Sequence, residues 1–332
     1  MTASDDSALA FQELQPDDIL DTLESLGFAC NGRMLALNSY ENRVYQVGIE
    51  SSTPVVAKFY RPGRWSDDAI QEEHEFAAEL AAADIPVVPP LQIDGQTLHH
   101  RGPFRVSVSE CHGGRAPDLD NEELLKQIGR LVARIHLQGE RSPFRARPRV
   151  DVDSYGIAAH DYLIDEHFIP EELEDVYSGI ADHLFDNIDA AFERAGDVRE
   201  LRLHADFHPG NVLVQEDRVH IVDLDDARSG PAVQDLWMFL SGDRDEQAPQ
   251  LATLLEGYQE FRRFDARELH LIEALRSLRM LHYAAWLARR WEDPAFKQAF
   301  PWFNSRRYWD EHVLTLREQT ALMQEGPLPW YA

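Results

Sequence analysis

Residues 203–214 read LHADFHPGNVLV, and residues 220–231 read HIVDLDDARSGP. Two short apolar runs, at 212–214 and 219–222, enclose the turn-forming sequence QEDR and read as paired strands. Such a hairpin brings Asn211 and Asp223 side by side at one end. Two oxygen ligands there suit Mg²⁺, a hard cation that takes one or two carboxylates and fills its shell with phosphate and water. Asp206, upstream of Asn211, is then free to accept a proton from an attacking hydroxyl. A metal on the phosphates and a base on the nucleophile are what phosphoryl transfer needs.

Two other readings of these residues stay open. His204, Asp206 and His208 alternate, so an extended strand would point all three the same way, as a zinc site requires. Pro209-Gly210 turns the chain at once, and no second His/Cys cluster accompanies them. Asn211 and Asp223 could also cap turns, a common use of Asn and Asp beside glycine.

The segment PVVAKFY adds a second signal, because Lys58 sits in the middle of an apolar strand, where a lysine is rarely buried without a partner. A helix predicted from Ser66 to about residue 83 offers Glu72, Glu73 and Glu75, any of which could pair with it. In a kinase such a pair holds the lysine against the α- and β-phosphates. The plainer reading is a lysine on the solvent face of an edge strand. No GxGxxG or GxxxxGK[ST] occurs, so neither a Rossmann site nor a P-loop is supported. Residues 38–42, NSYEN and thus including Ser39 and Asn42, occupy the turn where a phosphate-covering loop would lie, with hydroxyl and amide groups in place of glycine backbone donors.

Outward from these motifs, a helix is predicted at 16–27 and strands at 34–38, 43–49 and 55–60, with further strand-like runs at 91–93, 96–99 and 104–109. CHGGR, at 111–115, breaks the pattern and marks a linker. From Leu119 onward the chain reads as mainly helical, with helices predicted at 233–240, 247–261, 266–291 and 306–324. The expectation is an α+β architecture: a small β-rich nucleotide-binding lobe, 1–112, and a larger, mainly helical catalytic and acceptor-binding lobe, 113–332. Ligands commonly bind where two such lobes meet. Trp286, Trp291, Trp302, Phe303, Tyr308 and Trp309 are expected to pack terminal helices rather than line an acceptor site.

LNSYENRVYQ, VVAKFYRP, LHADFHPGN, VDLDDARSGPAVQDLW and WLARRWEDPAF together resemble the bacterial stress response kinase A family, from about Leu14 to the end. The resemblance implies a two-lobed, protein-kinase-like (aminoglycoside phosphotransferase-like) fold and transfer of phosphate from ATP to Ser/Thr. It implies that Asp206 is the catalytic base, that Asn211 and Asp223 bind Mg²⁺, with Asp223 counted among the catalytic residues, and that Lys58 contacts ATP. Glu73 best matches the lysine's helix partner, with Glu72 as a neighbouring possibility. Ser39 matches the nucleotide-contacting serine, and the stretch from Glu110 to His112 falls where a hinge holds adenine through backbone bonds. The chain lacks HRD, DFG and APE, and only seven residues separate Asp223 from Pro231, too few for a long phosphorylatable activation loop. The expected acceptor is a protein Ser/Thr, possibly in the chain itself. Alternatives are a small-molecule kinase of the aminoglycoside, choline or homoserine type, or a catalytically silent nucleotide-binding protein, against which the intact Lys58, Asp206, Asn211 and Asp223 set argues.

Composition narrows the partners. Of 332 residues, 59 are Asp or Glu and 32 are Lys or Arg, a formal charge of −27. Such a field repels nucleic acid and anionic membranes, so neither is an expected partner, and it attracts cationic ones such as a basic peptide or an aminocyclitol. Stretches without a charged side chain reach only nine residues, far below the roughly 20 of a membrane span. The opening MTASDDSALA does not read as a secretory signal, and two cysteines rule out a disulfide scaffold, so the expected compartment is the cytoplasm.

Overall fold

The computed structural model describes residue 11, residues 13–216 and residues 218–330, so MTASDDSALA and Asp217 of the QEDR turn lie outside the described residues. The chain divides into two units. The first holds the described residues through Pro117 together with Arg145–Arg147 and Gly210–Asp225, and the second holds Asp118–Phe144, Pro148–Pro209 and the described residues from Asp226 on. Relative to the expected division after residue 112, the first unit therefore gains 113–117, 145–147 and 210–225.

In the first unit, helix α1 (Pro16–Ser25) starts on a proline with Asp17 and Asp18 in its first turn. Strands β1 (Cys30–Ala36), β2 (Arg43–Ile49) and β3 (Val55–Tyr60) follow, then helix α2 (Asp67–Ala82), β4 (His99–Arg101) and β5 (Phe104–Glu110). The strands form one antiparallel sheet in the order β1-β2-β3-β5-β4. The expected strands at 91–93 and 96–99 shrink to a bridge between Ile93 and Gln96, where Asp94 and Gly95 both take positive φ and close a tight turn, and to His99, which opens β4.

Period-two alternation gives β3 two different faces. Val55, Ala57 and Phe59 are buried against Ile19, Leu23, Val47, Val106 and Val108. Val56 and Lys58 therefore point the opposite way, in register with Gln46 and Val44 on β2 and with Ser109 and Ser107 on β5. Ser66 caps α2 by accepting the Ala69 N–H at 3.1 Å. The buried face of α2 carries Ile70, Glu73, Ala77 and Leu80, so Glu73 lies on the apolar stripe.

The second unit contains α3 (Glu122–Gly139), α4 (Ala158–Asp165), α5 (Glu171–Ala195) and β6 (Glu200–Leu203). The hairpin β7 (Val212–Gln215) and β8 (Arg218–Ile221) belongs to the first unit. The second unit resumes with β9 (Arg228–Pro231), α6 (Gln234–Trp237), α7 (Arg244–Gln259), α8 (Ile272–Ala288), α9 (Pro294–Ala299) and α10 (Arg306–Leu322). Helices α3 and α7 approach closely at two glycines, since a Cβ on Gly129 would lie 2.0 Å from the Leu254 carbonyl oxygen and one on Gly257 would lie 2.0 Å from that of Lys126. The aromatic set near the end of the chain interlocks, with ring centroids 5.0 Å apart for Trp291 and Phe303 and 4.8 Å for Tyr308 and Trp309. Among the described residues no helix is long and apolar enough to cross a membrane.

Candidate active site

A cavity of about 320 Å³ opens in the first unit beneath the Lys58 face of the sheet. Its walls include Ser39, Val56, Lys58, Glu73, Glu110 and His112, and its floor includes Asn211 and Asp223. All these residues belong to one unit, although Asn211 and Asp223 lie about a hundred residues further along the chain.

The Lys58 ammonium lies 3.0 Å from Asp225 Oδ1, 3.2 Å from Asp223 Oδ1 and 3.7 Å from Glu73 Oε1. Burial works against its charge, but the carboxylates of Asp225, Glu73 and Asp223 outweigh it and hold the ammonium well above the usual lysine range. Burial pushes the Glu73 carboxyl up to about 7, with Lys58 opposing that shift. The carboxylates in turn meet two guanidinium groups: Arg64 pairs with Asp225, and Arg147 lies 3.8 Å from Glu73. Arg147 also donates to the Ala69 carbonyl at 2.9 Å and to the Asp225 carbonyl.

Glu72 and Glu73 have separate tasks. Glu73 faces Lys58, whereas the Glu72 carboxylate accepts the backbone N–H groups of Arg145, Ala146 and Arg147 at 2.8, 2.9 and 3.1 Å. Those three bonds attach segment 145–147 to α2.

Asn211 ends a single turn of 3-10 helix, Pro209–Asn211, just before β7, and its carbonyl accepts the Val222 N–H at 3.0 Å. Asp223 follows β8 with a left-handed φ of 62° and a half-exposed carboxylate. The register Val212 to Ile221 thus brings the two residues to the same end of the hairpin. Among the described residues no group of three or more His, Cys, Asp and Glu is arranged to hold a metal ion, so the zinc reading of His204, Asp206 and His208 has no such cluster behind it. His204 is fully buried, with its ring 5.0 Å from that of Phe207. An amide oxygen and one accessible carboxylate, by contrast, are a donor set that fits a hard divalent cation completed by phosphate and water.

In the NSYEN loop, Ser39 lines the cavity and Asn42 does not. Asn42 is buried, and its side-chain oxygen accepts the Arg61 N–H at 3.0 Å. Against expectation it does not line the cavity, because its amide oxygen satisfies the backbone N–H of the residue that follows β3. At the other rim His112 stacks on His220 with centroids 4.0 Å apart.

Asp206 belongs to the second unit. It follows Ala205, whose φ of 65° is held by Asp235: the Asp235 carboxylate accepts the N–H groups of His204 at 2.9 Å and Ala205 at 2.7 Å. Asp235 also meets His136 Nε2 at 3.2 Å, and Gln234 donates to the Ala205 carbonyl at 2.8 Å. The Asp206 carboxylate lies 2.6 Å from Arg279 and 3.6 Å from His208. Burial alone would raise its pKa, but the His208 hydrogen bond and the Arg279 charge bring it down to about 2, so it is ionised at neutral pH.

Sequence reasoning missed Asp225, Arg64, Arg147, Arg279 and Asp235. Residues 34–272 match the phosphotransferase enzyme family. The chain belongs to that family. Over 97% of its length this phosphotransferase is 43% identical to stress response kinase A of Escherichia coli (strain K12), covering 97% of that protein. It is 42% identical, over 97% of its length and 98% of the relative's, to the serine/threonine protein kinase RdoA of Salmonella typhimurium (strain LT2). An amicoumacin kinase solved with AMP-PNP and Ca²⁺ shares the fold, with a TM-score of 0.71 at 17% identity over 95% of this chain and 96% of that one. The phosphotransferase is therefore a kinase of two-lobed, aminoglycoside phosphotransferase-like fold, with a β-sheet N-terminal region and a helical C-terminal region.

Proposed function

We propose that this kinase uses ATP and Mg²⁺ to phosphorylate Ser or Thr hydroxyls of proteins. The observation that carries the reading is the cavity of the first unit, where an ammonium held by three carboxylates stands beside Asn211 and Asp223. In this reading Lys58 meets the α- and β-phosphates, with Glu73 and Asp225 fixing its position, while Ser39 and the backbone of 110–112 contact the nucleotide. Asn211 and Asp223 hold the metal, which when bound neutralises charge on the phosphates. Asp206 takes the proton of the acceptor hydroxyl as the new oxygen–phosphorus bond forms and the bond to ADP breaks. The first unit then serves as the nucleotide-binding domain and the second as the acceptor-binding domain. A protein acceptor is supported by the name of the Salmonella relative.

The test is a transfer assay with γ-labelled ATP, wild type beside Asp206→Ala, offering the chain itself, a generic protein, aminoglycosides, choline and homoserine. The reading expects Ser/Thr labelling of protein that the Asp206 variant abolishes. Efficient small-molecule turnover with protein labelling unchanged in the variant favours the small-molecule alternative, and ATP binding without transfer to any acceptor favours a silent protein.

A further inference from the structure

Two arginines near Asp206 have carboxylate partners of their own, Arg279 with Asp206 and Arg228 with Asp226. Helix α8 presents Arg279 and His282, and Arg289 caps its C-terminal end. Spacings of three and seven residues bring these side chains to one side of the helix. The stripe is about 15 Å long at 1.5 Å per residue. At one end Arg279 lies 2.6 Å from Asp206. In the middle His282 stacks on Tyr155 with centroids 4.2 Å apart, and Arg228 lies 4.9 Å from the centre of the Tyr155 ring. Burial, with the charge of Arg228 adding to it and Asp226 opposing, pushes His282 down to about 3, so the ring stays neutral.

Arg289 closes the stripe. Its guanidinium donates to the Ala158 carbonyl at 2.9 Å and lies 4.7 Å from the centre of the Tyr162 ring, and no carboxylate meets it among the described residues. Burial pushes its pKa below the usual arginine range, with only Tyr162 opposing. The helix C-terminus favours a cation there, by about 0.3–1 kcal/mol. That accounts for a charge at this end of α8 but leaves most of the guanidinium fork unmatched, whereas the fork suits a bidentate carboxylate.

We propose that the protein acceptor docks along this stripe and carries a carboxylate side chain that pairs with Arg289 while its hydroxyl meets Asp206. The inference rests on the protein-acceptor reading above. An extended segment rises about 3.3 Å per residue, so 15 Å puts the acidic residue about four or five positions from the phosphorylated one. The local preference is opposite in sign to the partner that overall composition attracts. The net negative field acts at long range, but physiological salt screens it over about 8 Å, less than the length of the stripe.

The test uses the full-length chain, saturating ATP and a series of Ser peptides on one neutral scaffold, with Glu, Gln or Lys four or five residues to either side of the serine. Wild type should turn over the best Glu peptide at least about tenfold more efficiently, by kcat/KM, than its Lys counterpart, an effect on the scale of one charge-assisted contact. Arg289→Gln should abolish the preference and Arg289→Glu should invert it, with ATP affinity by calorimetry reporting that each variant is folded. Peptide labelling indifferent to charge, or a preference that survives in either variant, overturns the inference and leaves the protein-acceptor reading standing. Small-molecule turnover with no peptide labelled overturns both.

Discussion

Lys58 Nζ lies 3.0 Å from Asp225 Oδ1, closer than the 3.7 Å that separates it from Glu73. The ammonium therefore rests on two buried carboxylates from different parts of the chain, one on α2 and one in the turn after β8. Asp225 is itself held by Arg64. In the proposed role of Lys58, these carboxylates hold its charge in place before phosphate binds.

Lys58→Met should lower turnover by roughly a hundredfold or more, in line with the ~3–4 kcal/mol that a preorganised electrostatic contact supplies. Asp225→Asn should lower it less and raise the KM for ATP, since Glu73 and Asp223 still hold the ammonium. Steady-state kinetics on folded variants checks both. Near-normal turnover in Lys58→Met contradicts the assigned role.

Asp235 organises the Asp206 loop within the second unit. Its carboxylate satisfies two backbone N–H groups and His136 in a fully buried site. Asp235→Ala leaves those donors unmatched and should cost about 3 kcal/mol or more of stability, whereas Asp235→Asn, which keeps an acceptor, should cost less. Urea unfolding of the three proteins measures the order, and equal stabilities contradict it.

Glu268 gives the fold a pH signature. It is 1% exposed and accepts the Val233 N–H at 2.8 Å, yet burial pushes its pKa up to about 7. The folded state then binds more protons than the unfolded state between about 4.5 and 7, so this residue's contribution is fully present at low pH and is lost as pH rises through 7. Glu268→Gln removes that dependence. Relative to wild type, the variant should gain about 2–3 kcal/mol in stability between pH 4.5 and pH 8. The same difference at both pH values contradicts the shifted titration.

Much of the site was legible because local rules govern it. Alternation in VVAKFY is enough to send Lys58 away from Phe59, and hairpin pairing is enough to bring Asn211 and Asp223 together. The choice between Glu72 and Glu73 needed the orientation of α2, which the stripe of Ile70, Ala77 and Leu80 decides. Asp225 was hidden among the acidic residues of VDLDD, since a single 3-10 turn, Leu224–Asp226, selects which carboxylate turns inward. β6 and β9 escaped because they pair across more than twenty intervening residues, and ARSGP carries turn-forming residues rather than a strand pattern. Segment 145–147 has no periodicity to reveal that Glu72 will bind it. Arg279 looked like part of an ordinary helix, and only its distance to Asp206 marks it out.

The proposed mechanism divides the labour, with Asp223 holding metal and nucleotide and Asp206 acting on the acceptor hydroxyl. Titration calorimetry of ATP into wild type, Asp206→Ala and Asp223→Ala, with and without Mg²⁺, tests it most directly. Asp206→Ala should bind ATP with Mg²⁺ as wild type does although transfer is abolished, and Asp223→Ala should lose the Mg²⁺-dependent part of the affinity. Equal loss of nucleotide binding in the two variants, or full Mg²⁺-dependent affinity in Asp223→Ala, would contradict it.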